Sequence, residues 1–149
     1  MRKKILIIAV LLLVFITALI VPGCTTVSEE AISFADKAAE NALIALNNGD
    51  YENYKKDLDD KMLEAVPEGE FIKFSSYLNN TIGKYVAGSK EVSGSTIRNG
   101  MIVIIFGADY TEESNKVTVT MGISEPDEGN YKISGSWFDS SMLRETEYK

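Results

Sequence analysis

The chain has 149 residues, of which 22 are acidic and 15 are basic, so its net charge at pH 7 is −7. It contains no histidine and a single cysteine, Cys24. These counts exclude histidine-dependent catalytic triads, histidine zinc sites and an internal disulfide. The acidic balance lacks the basic surface with which proteins bind nucleic acid. We therefore predict no nucleic-acid partner, no cofactor and no bound metal.

The N-terminus has the layout of an export signal. Three cations at positions 2–4 precede an uncharged, almost wholly apolar run over residues 5–21. A short basic segment followed by an apolar one is typical of secretory signals. The pattern places the rest of the chain outside the cytoplasm and close to a membrane.

The end of this run resembles the lipobox of prokaryotic lipoproteins, in the motif Val21-Pro22-Gly23-Cys24. The resemblance implies a signal peptide over residues 1–23, a lipid on the Cys24 thiol and a lipidated tether over residues 24–30. The mature protein is then anchored on the extracytoplasmic face of the cell membrane. The alternative is an uncleaved N-terminal anchor in which Cys24 has no role.

A long amphipathic helix opens the single domain that we assign to residues 31–149. Apolar residues recur at steps of three and four over residues 29–46, which predicts a helix with one buried stripe. Ser28 is a suitable N-cap, and Gly49 can adopt the left-handed conformation that ends a helix.

Further helices complete the first half of the domain. Asp50 and either Asp59 or Asp60 are suitable N-caps, and Pro67 ends the segment before it. The apolar spacing after Pro67 predicts another long helix over residues 68–82. The acidic residues around position 59 lack the spacing of a calcium loop, so we assign them to helix capping.

From Gly83 onward the apolar residues alternate, which indicates strands. We predict strands over residues 85–92, 101–110, 116–124 and 131–137, with a hairpin turn at Asn99-Gly100. Trp137 is expected to close the core between sheet and helices, and residues 140–148 to form a short helix or a loose end. Helices followed by sequential strands predict an α+β fold, with helices on one face of a four-stranded antiparallel meander.

The order of these elements resembles small prokaryotic lipoproteins of unknown function in the nuclear-transport-factor-2-like (cystatin-like) superfamily. The resemblance covers about residues 32–143 and rests on segments such as Asn48-Gly49-Asp50-Tyr51, Leu58-Asp59-Asp60-Lys61-Met62, Ile82-Gly83-Lys84-Tyr85 and Tyr131-Lys132-Ile133-Ser134-Gly135-Ser136-Trp137-Phe138. It implies a curved sheet around a long helix, often with a conical pocket between them. It also implies frequent dimerisation through the sheet.

The candidate pocket residues are four aromatic residues and one carboxylate: Tyr51, Tyr54, Tyr85, Trp137 and Asp109. Enzymes of the superfamily place an aspartate or histidine dyad in the cone. Without histidine, only an isomerase with a carboxylate base and a tyrosine donor stays open, with Asp109 as the base. Core packing is the favoured interpretation of the aromatic residues, and a solvated turn position that of Asp109.

We therefore predict a membrane-anchored extracytoplasmic binding or accessory domain without enzymatic activity, whose partner is an unidentified small ligand or protein. One alternative is an isomerase-like enzyme that uses Asp109 and a tyrosine. The other is a structural module that forms a homodimer or docks a partner through the polar face of the sheet: Thr118, Thr120, Ser124, Ser134 and Ser136.

Overall fold

The computed structural model describes residues 26–146 and residue 148. The predicted signal peptide and Cys24 lie outside this range. Within it, none of the helices combines the length and the apolar character that crossing a membrane requires.

The domain consists of helices followed by a four-stranded antiparallel sheet in the order β1-β2-β3-β4. The helices before the sheet are α1 (Glu29–Asn48), α2 (Tyr51–Tyr54), α3 (Asp60–Ala65) and α4 (Glu68–Thr81), with a 3-10 turn at Lys55–Asp57. The strands are β1 (Glu91–Arg98), β2 (Met101–Ala108), β3 (Val117–Asp127) and β4 (Asn130–Asp139), and α5 (Ser141–Glu145) follows them. This arrangement confirms the predicted α+β class and the meander.

The helix boundaries follow from local capping, as predicted. The Ser28 hydroxyl accepts a hydrogen bond from the Ala31 amide at 3.2 Å, and Gly49 ends α1 with φ of 65°. The Asp50 carboxylate accepts from the Asn53 amide at 3.1 Å, and that of Asp59 from the Met62 amide at 2.8 Å. These bonds satisfy amide groups that a helix N-terminus otherwise leaves without a partner.

The core lies between the helices and one face of the sheet. The stripe of α1 is rich in alanine, which lets the helix approach β2, β3 and β4 closely. The largest fully buried side chains come from both layers: Leu43, Phe71, Leu78, Ile82, Ile104, Phe106, Val117, Val119, Met121, Ile123 and Ile133. Ile104 and Phe106 of β2 face this core, whereas Met101, Val103 and Ile105 lie on the opposite, outer face, as the alternation predicted.

The first strand lies later in the chain than predicted. Asn99 and Gly100 both have positive φ and form the expected two-residue turn, so that Arg98 pairs with Met101. The turn therefore forces the residues directly before Asn99 into the strand. Tyr85, the start of the predicted strand, forms only an isolated bridge with Tyr110.

A register shift in β4 overturns the prediction that Trp137 closes the core. Gly122 pairs with Gly135 but Ile123 pairs with Ile133, so that Ser134 is an extra residue in the ladder. The extra residue reverses the faces beyond it, because alternate side chains point to opposite sides of a sheet. Trp137 consequently lies on the outer face and is 53% exposed.

Candidate functional site

A groove runs beside the free edge of β4, between this strand and helices α3 and α4. Its larger cavity has a volume of 380 Å³, within the usual range for ligand sites. The residues that line it are mostly apolar or aromatic, with one carboxylate and two serines among them: Tyr54, Met62, Ala65, Val66, Glu70, Phe74, Ser134, Gly135, Ser136, Trp137 and Tyr148. We refer to this surface as the β4 groove.

The groove continues towards α5 as a second cavity of 280 Å³. The two cavities share Phe74, Ser136 and Trp137, which identifies these residues as the centre of the groove. Tyr77, Phe138 and Leu143 are among the residues that line the second cavity. The groove is therefore elongated along β4.

Tyr54 forms the inner wall of the larger cavity. Its ring packs against the buried Phe71 with 4.7 Å between the ring centroids. Burial raises the pKa of the Tyr54 phenol, and a hydrogen bond with the Ser136 hydroxyl opposes the shift. The phenol is thus neutral at physiological pH and offers a hydrogen-bonding group inside an apolar wall.

Trp137 is held against the sheet at the outer rim. A Cβ atom at Gly135 would lie 2.5 Å from Trp137 Cη2, and one at Gly122 would lie 3.4 Å from Trp137 Cζ3. The absence of side chains at these two glycines lets the indole lie across β3 and β4. A tryptophan that is fixed in place and exposed is typical of binding surfaces.

Tyr148 of the C-terminal segment lines the larger cavity of the groove. The Tyr148 ring packs on Phe74 and Tyr77, with centroid distances of 5.9 Å and 5.1 Å. The Tyr77 hydroxyl donates to the carbonyls of Leu143 and Thr146 at 3.3 Å and 3.0 Å. These contacts bring an aromatic ring of the chain itself to the groove.

Helix α5, which precedes this segment, is fixed at its N-terminus. Ser140 caps the helix, and the Met142 amide donates to the Glu113 carboxylate at 3.2 Å. The bond from Met142 lowers the pKa of Glu113, so this carboxylate is charged at neutral pH. A negative charge at a helix N-terminus is favourable, and it holds α5 on the β2–β3 connection.

Only some of the predicted pocket residues meet in the groove. Tyr54 and Trp137 line it. Tyr51 lies behind it, where its ring packs 5.4 Å from that of Phe71 and its hydroxyl donates to the Val66 carbonyl at 3.1 Å. Tyr51 therefore supports the end of α3.

Asp109 does not line the β4 groove. The structure places its side chain, 51% exposed, 3.3 Å from the Lys116 ammonium group. Counted in steps of two from Val103, Asp109 falls on the outer face of the sheet. The solvated position that we favoured for Asp109 agrees with this placement.

Tyr85 lies in a separate polar cluster on α1. Its hydroxyl donates to Glu40 at 2.8 Å, and burial together with this bond raises the pKa of Tyr85 to about 12. The Lys90 ammonium group, 6% exposed, lies 2.5 Å from Asp36 and 3.4 Å from Glu40. Lys90 thus pairs with two carboxylates, and these contacts hold the loop before β1 on α1.

The described residues contain no group of three or more carboxylate, histidine or cysteine side chains arranged to hold a metal ion. The chain matches no family model, no curated protein and no solved structure.

The sequence reasoning missed several groove residues, notably Met62, Val66, Phe74 and Tyr148. For Phe74 the sequence did contain an indication, because the apolar stripe of α4 could include either Phe74 or Ser75 at this turn of the helix. The structure buries Ser75 and leaves Phe74 at the margin of the core, facing the groove. The bulge in β4 also places Ser136 beside Tyr54 and not on the predicted polar face. We recognised no sequence feature that indicates this bulge.

Proposed function

We propose that the chain is a membrane-anchored extracytoplasmic binding protein without enzymatic activity, and that the β4 groove is its binding site. The observation that carries this proposal is the groove itself: an elongated, largely apolar cleft with aromatic walls and, at its rim, an exposed tryptophan that packs against the sheet. Such clefts bind apolar groups by removing them from water, while a few polar groups fix their orientation.

The proposal also includes the features for which the sequence alone argues. These are the lipid on Cys24, the relationship to nuclear-transport-factor-2-like lipoproteins and a curved, cone-like sheet. The groove supports a binding function independently of the anchor, because its lining comes entirely from the folded domain. The exposed position of Asp109 favours binding over the isomerase alternative.

Lipidation of Cys24 is the first testable prediction. The full chain, expressed in a bacterium that processes lipoproteins, should incorporate radiolabelled palmitate, and Cys24→Ser should lose the label completely because no other cysteine exists. Thr26→Ser is the control and should retain the label. A labelled Cys24→Ser variant, or an unlabelled wild type that stays in the membrane fraction, would favour the uncleaved anchor.

Binding of an aromatic group in the groove is the second prediction. We choose p-cresol, the side-chain analogue of tyrosine, as the probe and the full chain in detergent micelles as the receptor. Saturation-transfer NMR should report binding to the wild type, with a Kd of about 1 mM or weaker for so small a ligand. Ala65→Arg should abolish this signal, because the arginine would enter the larger cavity from its exposed position on α3.

Ala87→Arg is the matched control, since it makes the same change at an exposed residue outside the groove. It should bind p-cresol as the wild type does. Equal signals from the wild type and both variants would mean that the probe enters only the micelle, and the groove would lose its support as a binding site.

A further inference from the structure

We propose that the β4 groove binds an extended peptide segment of a partner protein, which adds to β4 as a fifth strand and places an aromatic side chain in the larger cavity. This inference rests on the proposed function and specifies its ligand class. Three features carry it: the free edge of β4, the direction in which the groove side chains point, and the aromatic residue that the chain itself places there.

The free edge of β4 begins where the helical layer stops covering it. Leu58 bridges to Ile133, and the Asp59 amide donates to the Ile133 carbonyl at 2.9 Å. Past this point, no backbone hydrogen bond among the described residues covers the outer edge of residues 134–139. An uncovered strand edge is a template for pairing with another chain.

The ladder pattern indicates which backbone groups are free. The Ile133 carbonyl points away from β3, and antiparallel pairs alternate between inward and outward hydrogen bonding. Because Ser134 is the extra residue of the bulge, the outward positions after it are Ser136 and Phe138. Both lie at the groove, so the backbone groups that no described residue pairs with and the apolar walls belong to one surface.

The other edge of the sheet, at β1, has features that discourage pairing with another strand. Glu91 and Arg98 place charges at its two ends, and a register shift lies between Val92 and Gly94. Its residues are almost all exposed. Charges and bulges are features that discourage strand addition. We therefore assign strand addition to the β4 edge, which lies at the groove, and not to the β1 edge.

An added strand would direct its side chains to defined places. A residue paired with Ser136 points to the same face of the sheet as Ser136, and thus into the cavity beside Tyr54 and Phe74. Its two neighbours point to the outer face, where the exposed Trp137 indole can cover an apolar side chain. Backbone bonds would supply affinity and the cavity would supply selectivity, as in other cases of β-strand addition.

The chain's own C-terminal segment shows which chemistry this surface accepts. Thr146 has extended backbone angles, with φ of −114° and ψ of 125°, and Tyr148 follows two residues later with its ring on Phe74 and Tyr77. An aromatic side chain of the C-terminal segment is thus already packed in the groove. A partner segment of the same chemistry would continue this packing along β4.

The test uses an acetylated, fluorescein-labelled pentapeptide of threonine, valine, tyrosine, valine and threonine, and the full chain in detergent micelles. Fluorescence anisotropy should show saturable binding to the wild type. For an antiparallel fifth strand, methylation of the tyrosine's own amide nitrogen should weaken binding about fivefold or more, because this N–H faces the Ser136 carbonyl and the lost backbone bond reduces affinity severalfold. Replacement of the peptide tyrosine by alanine should weaken it by a similar factor.

Two variants of the protein test the edge itself. Ser136→Pro removes the outward N–H of β4 without removing a bond to β3. Ser136→Ala removes the hydroxyl alone and is the matched control, expected to bind the peptide at least about fivefold more tightly than Ser136→Pro. If Ser136→Pro fails to fold, the methylated peptide on the wild type still decides the question.

The outcomes separate this inference from the proposed function. Equal affinity for the methylated and unmethylated peptides would overturn strand addition. The absence of peptide binding to a protein that still binds p-cresol would overturn it too. Neither result would contradict the proposed function. Loss of both probes would overturn both proposals. A third outcome is a wild type that forms dimers in the ultracentrifuge and does not bind the peptide, while Ser136→Pro is monomeric. This outcome would show that the β4 edge pairs with a second copy of the chain, and it would overturn the inference of a partner segment.

Discussion

Replacement of Gly83 by alanine is expected to lower the free energy of unfolding by about 3 kcal/mol, as the sum of a backbone and a packing cost. Gly83 has φ of 77°, a conformation that is unfavourable for residues with a Cβ atom. A Cβ atom there would also lie 2.1 Å from Thr111 Oγ1 and 2.9 Å from the Glu112 backbone nitrogen.

The surrounding hydrogen bonds prevent an easy relaxation. The Glu112 amide donates to the Ile82 carbonyl at 3.1 Å, and the Lys84 and Thr111 backbones are joined through a further bond of 3.0 Å. These bonds tie the end of the helical layer to the connection between β2 and β3. Space for a methyl group at Gly83 can arise only if the two segments separate.

Urea unfolding of the full chain in detergent, followed by circular dichroism, measures this effect. Gly88→Ala is the matched control, because Gly88 has nearly the same φ of 76° but no heavy atom within 4 Å of its Cβ position. It should lose only the backbone contribution of about 1 kcal/mol. Equal losses in the two variants would show that the contact with Thr111 and Glu112 carries no cost.

Phe71→Ala should lower the free energy of unfolding by about 4 kcal/mol, the usual cost of removing a buried phenylalanine. Phe71 is fully buried on α4 and contacts the rings of Tyr51 and Tyr54, at 5.4 Å and 4.7 Å. Its loss would leave a cavity behind the inner wall of the groove. We therefore expect p-cresol binding to weaken as Tyr54 moves towards the vacated space.

The same unfolding measurement decides this prediction, with Ile72→Ala as the control on the same helix. Ile72 is 43% exposed, so its truncation should cost less than about 1 kcal/mol. Thermal stability must be checked alongside p-cresol binding, so that a loss of binding is measured on folded protein. A Phe71→Ala variant as stable as Ile72→Ala would contradict the assignment of Phe71 to the central core.

The elements that could be predicted are those whose cause is local. Ser28, Asp50 and Asp59 cap helices through bonds to amides three residues away, and Asn99-Gly100 forms its turn because both residues accept positive φ. Periodicity also identified the two faces of β2, since alternation is a property of the strand itself. The α+β class follows from these local signals in their order along the chain.

The location of the groove could not be predicted in this way. Trp137 and Ser136 exchange faces because of one extra residue at Ser134, and that residue is accommodated only where β4 pairs with Gly122 of β3. The start of β1 was misplaced for a different reason: the two-residue turn at Asn99-Gly100 places the residues directly before it in the strand, whereas the prediction ended the strand at residue 92. Only the error in β4 concerns a pairing partner that is distant in sequence.

By itself, the sequence determined the helices with their caps, the order of the strands, the absence of histidine chemistry and the expectation of an export signal that ends at Cys24. These properties depend on residue types and on neighbours within a few positions. The tertiary structure decided that Asp109 is a surface residue, that Trp137 is exposed and that Tyr54, Phe74 and Ser136 line one groove beside a free strand edge. Those assignments depend on the strand register and on the helix that packs beside the edge, and they exist only once the chain has folded.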